Sequence, residues 1–262
     1  MAEGGTLLPA DRDGDDPLGG ARAILDGGLL WSAYEPFIDL GTGRVVGYEA
    51  LARFNRPDGV PVSPGNFFAL IHSDPALLFA VELAVKKHQL AHAPTEGALF
   101  VNLDPDSWAA AGGGVANPLL DLLAGVSRPL VVEVTENLDI ADALLSRELL
   151  GAMRARGLQI ALDDVGAANS LLSFESLDQA EVLKFDRILL RSLGRSRRRP
   201  VIRALARMMR ETGGRTILEG VETAADLLLA RELGVDWVQG WFFEELIIRS
   251  PRPALLQGLP GR

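Results

Sequence analysis

Residues 129–164 read PLVVEVTENLDIADALLSRELLGAMRARGLQIALDD, and this stretch decides the fold. PLVVEVTE (129–136) opens on a nearly continuous apolar run, the pattern of a strand buried on both faces. Residues 139–156 space their apolar side chains at helical intervals and stop at Gly157. LQIALDD (158–164) is a second apolar strand, closing on two acids. Strand, helix and strand in this succession form a βαβ unit, with its two strands parallel in one sheet.

The pattern recurs outward in both directions. ALFVNLD (98–104), EVLKFD (181–186), RTILEG (215–220) and DWVQGWFF (236–243) read as further strands, and 117–126, 169–177, 200–212 and 222–233 as helices between them. LLWSAYEPFIDL (29–40) and GRVVGYEALARF (43–54) read as a strand pair around a GTG turn, and Ser63–His92 as two helices. About eight strands in a chain of this length favour a closed βα barrel over an open sheet. No fixed-period repeat is present, which argues against a solenoid. The expected organisation is a flexible acidic tail over 1–20, rich in Gly, Asp and Pro, followed by one barrel domain over 21–262.

Composition narrows the chemistry. The 262 residues are 48% hydrophobic and 23% charged, ordinary for a globular protein able to bury a full core. There is no cysteine, which excludes disulfides, thiolate metal sites and cysteine nucleophiles. Only three histidines occur, at 72, 88 and 92, so carboxylates, lysine and arginine must carry any reaction. The 26 basic and 35 acidic residues give a net charge of -9, which disfavours nucleic-acid binding. No apolar run approaches the ~20 residues of a membrane span, and the opening residues lack a secretory pattern. The expectation is a soluble, cytoplasmic protein.

The position of the polar residues is more telling. Glu49, Glu133, Asp163, Asp164 and Glu219 lie within or just after apolar strands, as do Asn102, Lys184 and Gln239. In a βα barrel the carboxyl ends of the strands meet at one mouth, so these residues converge there. Several carboxylates in one pocket repel and raise each other's pKa values, a penalty that divalent cations remove. Oxygen-only ligands suit Mg²⁺ or Mn²⁺ rather than Zn²⁺, and paired metals serve phosphoryl displacement. On an extended backbone Asp163 and Asp164 point apart, so at least one is expected past the strand end. Each residue alone is ordinary; the recurrence strand after strand is the signal.

The sequence resembles the EAL domains, named for the triplet present here as Glu49-Ala50-Leu51. The likeness begins at YEPFIDLGTGRVVGYEALARF and continues in order through VNLDP, VEVTEN, ALDDVG, VLKFD, LEGVET and DWVQGWFF, over about residues 21–250. The resemblance implies a modified TIM-type (β/α)8 barrel with one antiparallel strand. It also implies hydrolysis of the bacterial second messenger cyclic di-GMP to linear pGpG with Mg²⁺ or Mn²⁺, two per site. On that likeness Glu49, Asn102, Glu133, Asp163, Asp164 and Glu219 are metal ligands. Lys184 positions the nucleophilic water, Glu219, Glu222 and Gln239 complete the water network, and Glu136 steadies the loop after the paired acids. Leu51 and Arg53 hold the phosphates, and Glu35 faces the base. A homodimer is implied as well; no regulatory protein partner is indicated, and the chain reads as a stand-alone domain.

Three positions depart from the family pattern. Glu35 replaces the usual Gln before the proline of the opening strand and is acceptor-only when charged. The loop VGAANSL (165–171) carries Ala168 and Asn169 where a glycine and an aromatic are usual, and a lost glycine removes access to positive φ. Asp104 of NLDP adds an acid near the mouth. The altered loop motivates an alternative reading, a cyclic-di-GMP receptor with little turnover that acts through protein partners. RSLGRSRRRPVIR (191–203) reads as a solvated loop and first helical turn, His88 and His92 as surface or interhelical residues, and the tryptophans as packing, with Trp241 the one placed to flank a base.

Overall fold

The computed structural model describes residues 17–135, 140–168, 170, 172–192 and 197–253. In chain order these form α1 (Pro17–Asp26), β1 (Leu30–Asp39), β2 (Val45–Asn55), β3 (Pro61–Val62), α2 (Pro64–Ile71), α3 (Pro75–Ala91), β4 (Ala98–Asn102), α4 (Pro105–Ala110) and α5 (Pro118–Ala124). They continue with β5 (Leu130–Thr135), α6 (Ile140–Ala155), β6 (Gln159–Val165), α7 (Phe174–Leu177), β7 (Val182–Phe185), α8 (Ile188–Ser192), α9 (Arg198–Glu211), β8 (Arg215–Leu218) and α10 (Ala224–Leu233). The last elements are β9 (Trp237–Val238), a 3-10 helix (Trp241–Leu246) and β10 (Ile248–Arg249).

The chain divides into two compact units, and β1 and β2 contribute residues to both. The larger comprises residues 35–49 and 94–247. Its strands close in the order β1-β2-β4-β5-β6-β7-β8-β9, with β9 pairing back to β1. Pairing is parallel from β4 through β9, and β1 meets β9 antiparallel with Ile38 opposite Val238. This is the expected α/β barrel with an antiparallel member. The central strands are apolar because both faces are covered: Leu130–Val134 and Val182–Phe185 are buried throughout. Helix ends follow local chemistry. Thr223 and Asp226 form a reciprocal capping box at the start of α10, and Gly234 ends it in the left-handed conformation.

The described residues of the smaller unit are 17–34, 50–93 and 248–253. Phe54, Phe67, Ile71, Leu78, Val81 and Val85 pack its core with Ile24 and Leu29, and Phe54 stacks on Phe67 with ring centroids 4.1 Å apart. Asp74 caps α3 by accepting from Leu77 N–H, with Pro75 in the first helical turn. Lys86 and Glu82 form a buried ion pair at 2.8 Å one helical turn apart.

Several expectations change in detail. Residues 17–20, read as part of the tail, open helix α1, while 1–16 lie outside the described residues. Among the described residues of the helix read over 169–177, Phe174–Leu177 is helical, and the Ser173 side chain, accepting from Ser176 N–H, starts the helix there. The strand read over 236–243 is confined to Trp237–Val238; Gly240, at φ 150, ends it and the chain turns into the 3-10 helix. No helix among the described residues is long and apolar enough to cross a membrane.

Candidate metal and phosphoryl-transfer site

Alternation along the barrel strands builds the site. Phe37, Phe100, Val131, Ala161, Val182 and Ile217 form an apolar cluster, with Trp237 packed against it. Residues two apart on a strand share a face. Two positions after Phe100, Val131, Ala161, Val182, Ile217 and Trp237 come Asn102, Glu133, Asp163, Lys184, Glu219 and Gln239. On β1, which is antiparallel to β9, the matching residue lies two positions before Phe37, at Glu35. A polar layer thus follows the apolar one towards the carboxyl ends of the parallel strands.

Lys184 lies at the centre of this layer and is fully buried. Its Nζ is 2.8 Å from Glu219 Oε1, 2.9 Å from Glu133 Oε1, 3.2 Å from Asp163 Oδ1 and 3.5 Å from Glu49 Oε2. The same ammonium sits 5.9 Å from the centroid of the Phe37 ring. Glu49 is held at both oxygens: Asn102 Nδ2 donates to Oε1 at 3.0 Å and Gln239 Nε2 to Oε2 at 2.7 Å. Gln239 Nε2 also donates to Glu35 Oε2 at 3.2 Å.

Both paired acids lie within β6, which corrects the expectation that one lies past the strand end. Asp164 adopts φ 55, and the register against β7 shifts between Leu162 and Val165. This irregularity re-aims one side chain, as β-bulges beside sites commonly do. It brings carboxylate oxygens of Asp163, Asp164 and Glu219 within 4.8 Å of one another. In the altered loop Gly166 has φ 94, and Ala168 is exposed and is not among the described positive-φ residues.

Charge crowding shows in the proton affinities. Burial pushes Glu219 up to about 8, with Asp163 and Glu49 adding to it against the pull of Lys184. Burial, then Asp163 and Asp186, push Asp164 up to about 6. Burial and Glu49 hold Glu133 well above the usual carboxylate range. Burial opposes the charge of Glu49, but Lys184 and the amides of Gln239 and Asn102 outweigh it and keep its pKa low. Burial likewise opposes the Lys184 ammonium, and Asp163, Glu133, Glu219 and Glu49 outweigh it, raising that pKa well above the ordinary value.

The residues fit a divalent cation. Glu49, Glu133 and Asp163 offer oxygens within 4.8 Å of one another, and Asp163, Asp164 and Glu219 offer a second such triad. All are hard oxygen donors, and the first triad includes the buried Glu49 and Glu133.

Other sequence candidates are placed differently. Glu222 is exposed ahead of α10, where its N–H donates to Asp226. Glu136 and Asn169 lie outside the described residues. Leu51 and Arg53 are half-buried on the part of β2 in the smaller unit, and Arg53 Nη1 donates to Ala52 O. Asp104 caps α4 by accepting from Asp106 N–H and Ser107 Oγ–H. His88 bonds to Ser250 Oγ at 3.0 Å and stacks on His92. Trp241 is half exposed, Trp108 is buried, and Arg197–Arg199 are exposed as expected of a solvated helix start. Sequence reading passed over Asp186 beside Asp164 and the bond between Gln239 and Glu35.

Fold and site together define a βα-barrel protein with an acidic, oxygen-donor centre at the carboxyl ends of its strands. The chain belongs to the EAL domain family, whose profile matches residues 21–245. It is 26% identical over 228 residues to PdeB of Escherichia coli (strain K12), named as a probable cyclic di-GMP phosphodiesterase, covering 82% of this chain and 42% of that relative. A solved structure of the PaMucR phosphodiesterase in complex with c-di-GMP superposes with a TM-score of 0.70 at 27% identity, over 90% of this chain and 97% of the other. The fold is shared too by the Klebsiella pneumoniae BlrP1 manganese/cy-diGMP complex, at TM-score 0.66 and 24% identity, over 85% of this chain and 56% of that one. The chain spans 29–42% of the length of the curated relatives it matches.

Proposed function

We propose that this chain hydrolyses cyclic di-GMP to linear pGpG, using Mg²⁺ or Mn²⁺, with two ions per site. The observation that carries this reading is the convergence of four carboxylates, Glu49, Glu133, Asp163 and Glu219, on the fully buried Lys184. The likeness to the PaMucR phosphodiesterase bound to c-di-GMP supports the choice of substrate.

When bound, the divalent ions neutralise the acids, polarise the phosphoryl group and stabilise the attacking and leaving oxygens. Glu49, Glu133, Asp163, Asp164 and Glu219 would hold them, with Asp163 common to both triads, and sequence resemblance adds Asn102. Asn102 and Gln239 fix Glu49 by donating to its two oxygens, so each amide keeps its carbonyl oxygen available as an acceptor. Lys184, immobilised by four carboxylates, orients the attacking water and offsets charge building on the phosphoryl oxygens. The water oxygen bonds to phosphorus, the bond from phosphorus to the 3′ oxygen breaks, and that oxygen leaves as a hydroxyl carrying a proton from the water. The assignment of Leu51 and Arg53 to the phosphates, and of Glu136 to the loop, rests on sequence resemblance.

The altered loop favours one other reading, a receptor that binds cyclic di-GMP without turning it over. Incubation with cyclic di-GMP and Mg²⁺ or Mn²⁺, with pGpG followed by chromatography, separates the two. Product from the native chain but not from Lys184→Ala or Glu49→Ala is the expected result. Tight binding with no product under either metal supports the receptor, and absence of both binding and product overturns both readings.

A further inference from the structure

Gln239 follows β9, and its side-chain amide is held by two acids at once. Its Nε2 donates to Glu49 Oε2 at 2.7 Å and to Glu35 Oε2 at 3.2 Å. A primary amide has two N–H donors and one carbonyl acceptor, so both donors are committed to carboxylates. Gln239 Oε1 is buried and makes no hydrogen bond among the described residues. Rotating the amide by half a turn would set this oxygen against two acceptors, an arrangement that both acids oppose.

We infer that Glu35 is a positioning residue that acts through Gln239. By accepting from Nε2 it fixes the amide orientation, presents Gln239 Oε1 as an acceptor within the site, and steadies the Glu49 carboxylate. The inference rests on the metal-site reading above. It also gives a chemical sense to the departure at position 35. A glutamine there carries a donor and an acceptor, and holds the amide in only one of its own two orientations. A glutamate is acceptor-only and holds it in both.

The test compares the native chain with Glu35→Gln, Glu35→Met, Gln239→Met and the double variant Glu35→Met/Gln239→Met. The first readout is the Gln239 side-chain amide in metal-free ¹H–¹⁵N NMR spectra, identified by its loss in Gln239→Met. Glu35→Met should move this signal pair towards the position of a solvated glutamine, and Glu35→Gln should move it part of the way. The second readout is Mn²⁺ affinity by calorimetry. Glu35→Met should weaken it about tenfold, the scale of a lost ligand-orienting partner, with no further loss on the Gln239→Met background.

Signals of Gln239 that stay in place in Glu35→Met, or losses of affinity that add in full in the double variant, would overturn the inference. If Glu35→Met does not fold, Glu35→Gln decides: an unshifted pair sinks the proposal. A native chain that fails to bind Mn²⁺ would undo the metal-site reading, and the NMR comparison would still decide the role of Glu35.

Discussion

Lys184 sets the electrostatics of the barrel mouth. One ammonium faces four carboxylates, and the crowding that remains raises the pKa of Glu133 well above the usual carboxylate range and that of Glu219 to about 8. Lys184→Met removes the only cation in this set and leaves buried acids facing each other. Destabilisation of about 3 kcal/mol is expected by urea unfolding at pH 7 without divalent ions, the low end for a broken buried pair because protons replace the lost charge. Mn²⁺ should then raise the midpoint of the variant by more than that of the native chain. The raised acids also fix a pH dependence. A protonated carboxyl cannot ligate, so Mn²⁺ affinity should increase as pH rises through about 6 and about 8, where Asp164 and Glu219 lose their protons. Calorimetry at pH 7 in buffers of different ionisation heat should show net proton release, diminished by pH 9; binding without proton release would contradict the assignment.

Elements turn these residues into a site through two local irregularities. The bulge in β6 aims Asp163 and Asp164 at the same pocket, and Gly240 lets the chain turn directly after Gln239. A Cβ at position 240 would lie 2.3 Å from Val221 O and 2.4 Å from Val221 N, with φ at 150. Gly240→Ala should therefore destabilise by at least ~1 kcal/mol and weaken Mn²⁺ binding by displacing Gln239, both read from melts with and without the ion. These features mark the boundary of what the sequence reveals. That Glu133, Lys184 and Glu219 share one layer was legible, because each follows an apolar strand residue by two. That both paired acids reach the pocket was expected, but how they do so was not legible, because it depends on the left-handed backbone of Asp164 inside the strand, which a side-chain pattern does not carry. The link from Gln239 to Glu35 was hidden for a related reason: β1 is antiparallel, so Glu35 precedes its core neighbour Phe37 instead of following it.

The whole molecule is two compact units threaded by a chain that enters each more than once. The recurrence of strand and helix from residue 98 onward was enough to read the barrel. The division was not legible, since β1 and β2 contribute to both units and apolar periodicity does not say which core a residue joins. In the smaller unit, burial and the neighbouring His92 lower the pKa of His88 from 6.5 to about 4. Between these values the unfolded chain binds a proton that the folded chain does not, so stability falls as pH drops through the window and is unaffected by this group above it. Melts from pH 7 to pH 4 should show a steeper loss for the native chain than for His88→Gln; parallel curves would remove His88 from the account.

The most direct test of the central claim is a single turnover in ¹⁸O-labelled water, with the chain in excess over cyclic di-GMP and Mn²⁺ present. Mass spectrometry should find linear pGpG carrying one ¹⁸O in its terminal phosphate, and no such product from Lys184→Ala. Intact cyclic di-GMP after prolonged incubation with excess native chain would contradict the assignment of this barrel mouth as a hydrolytic centre.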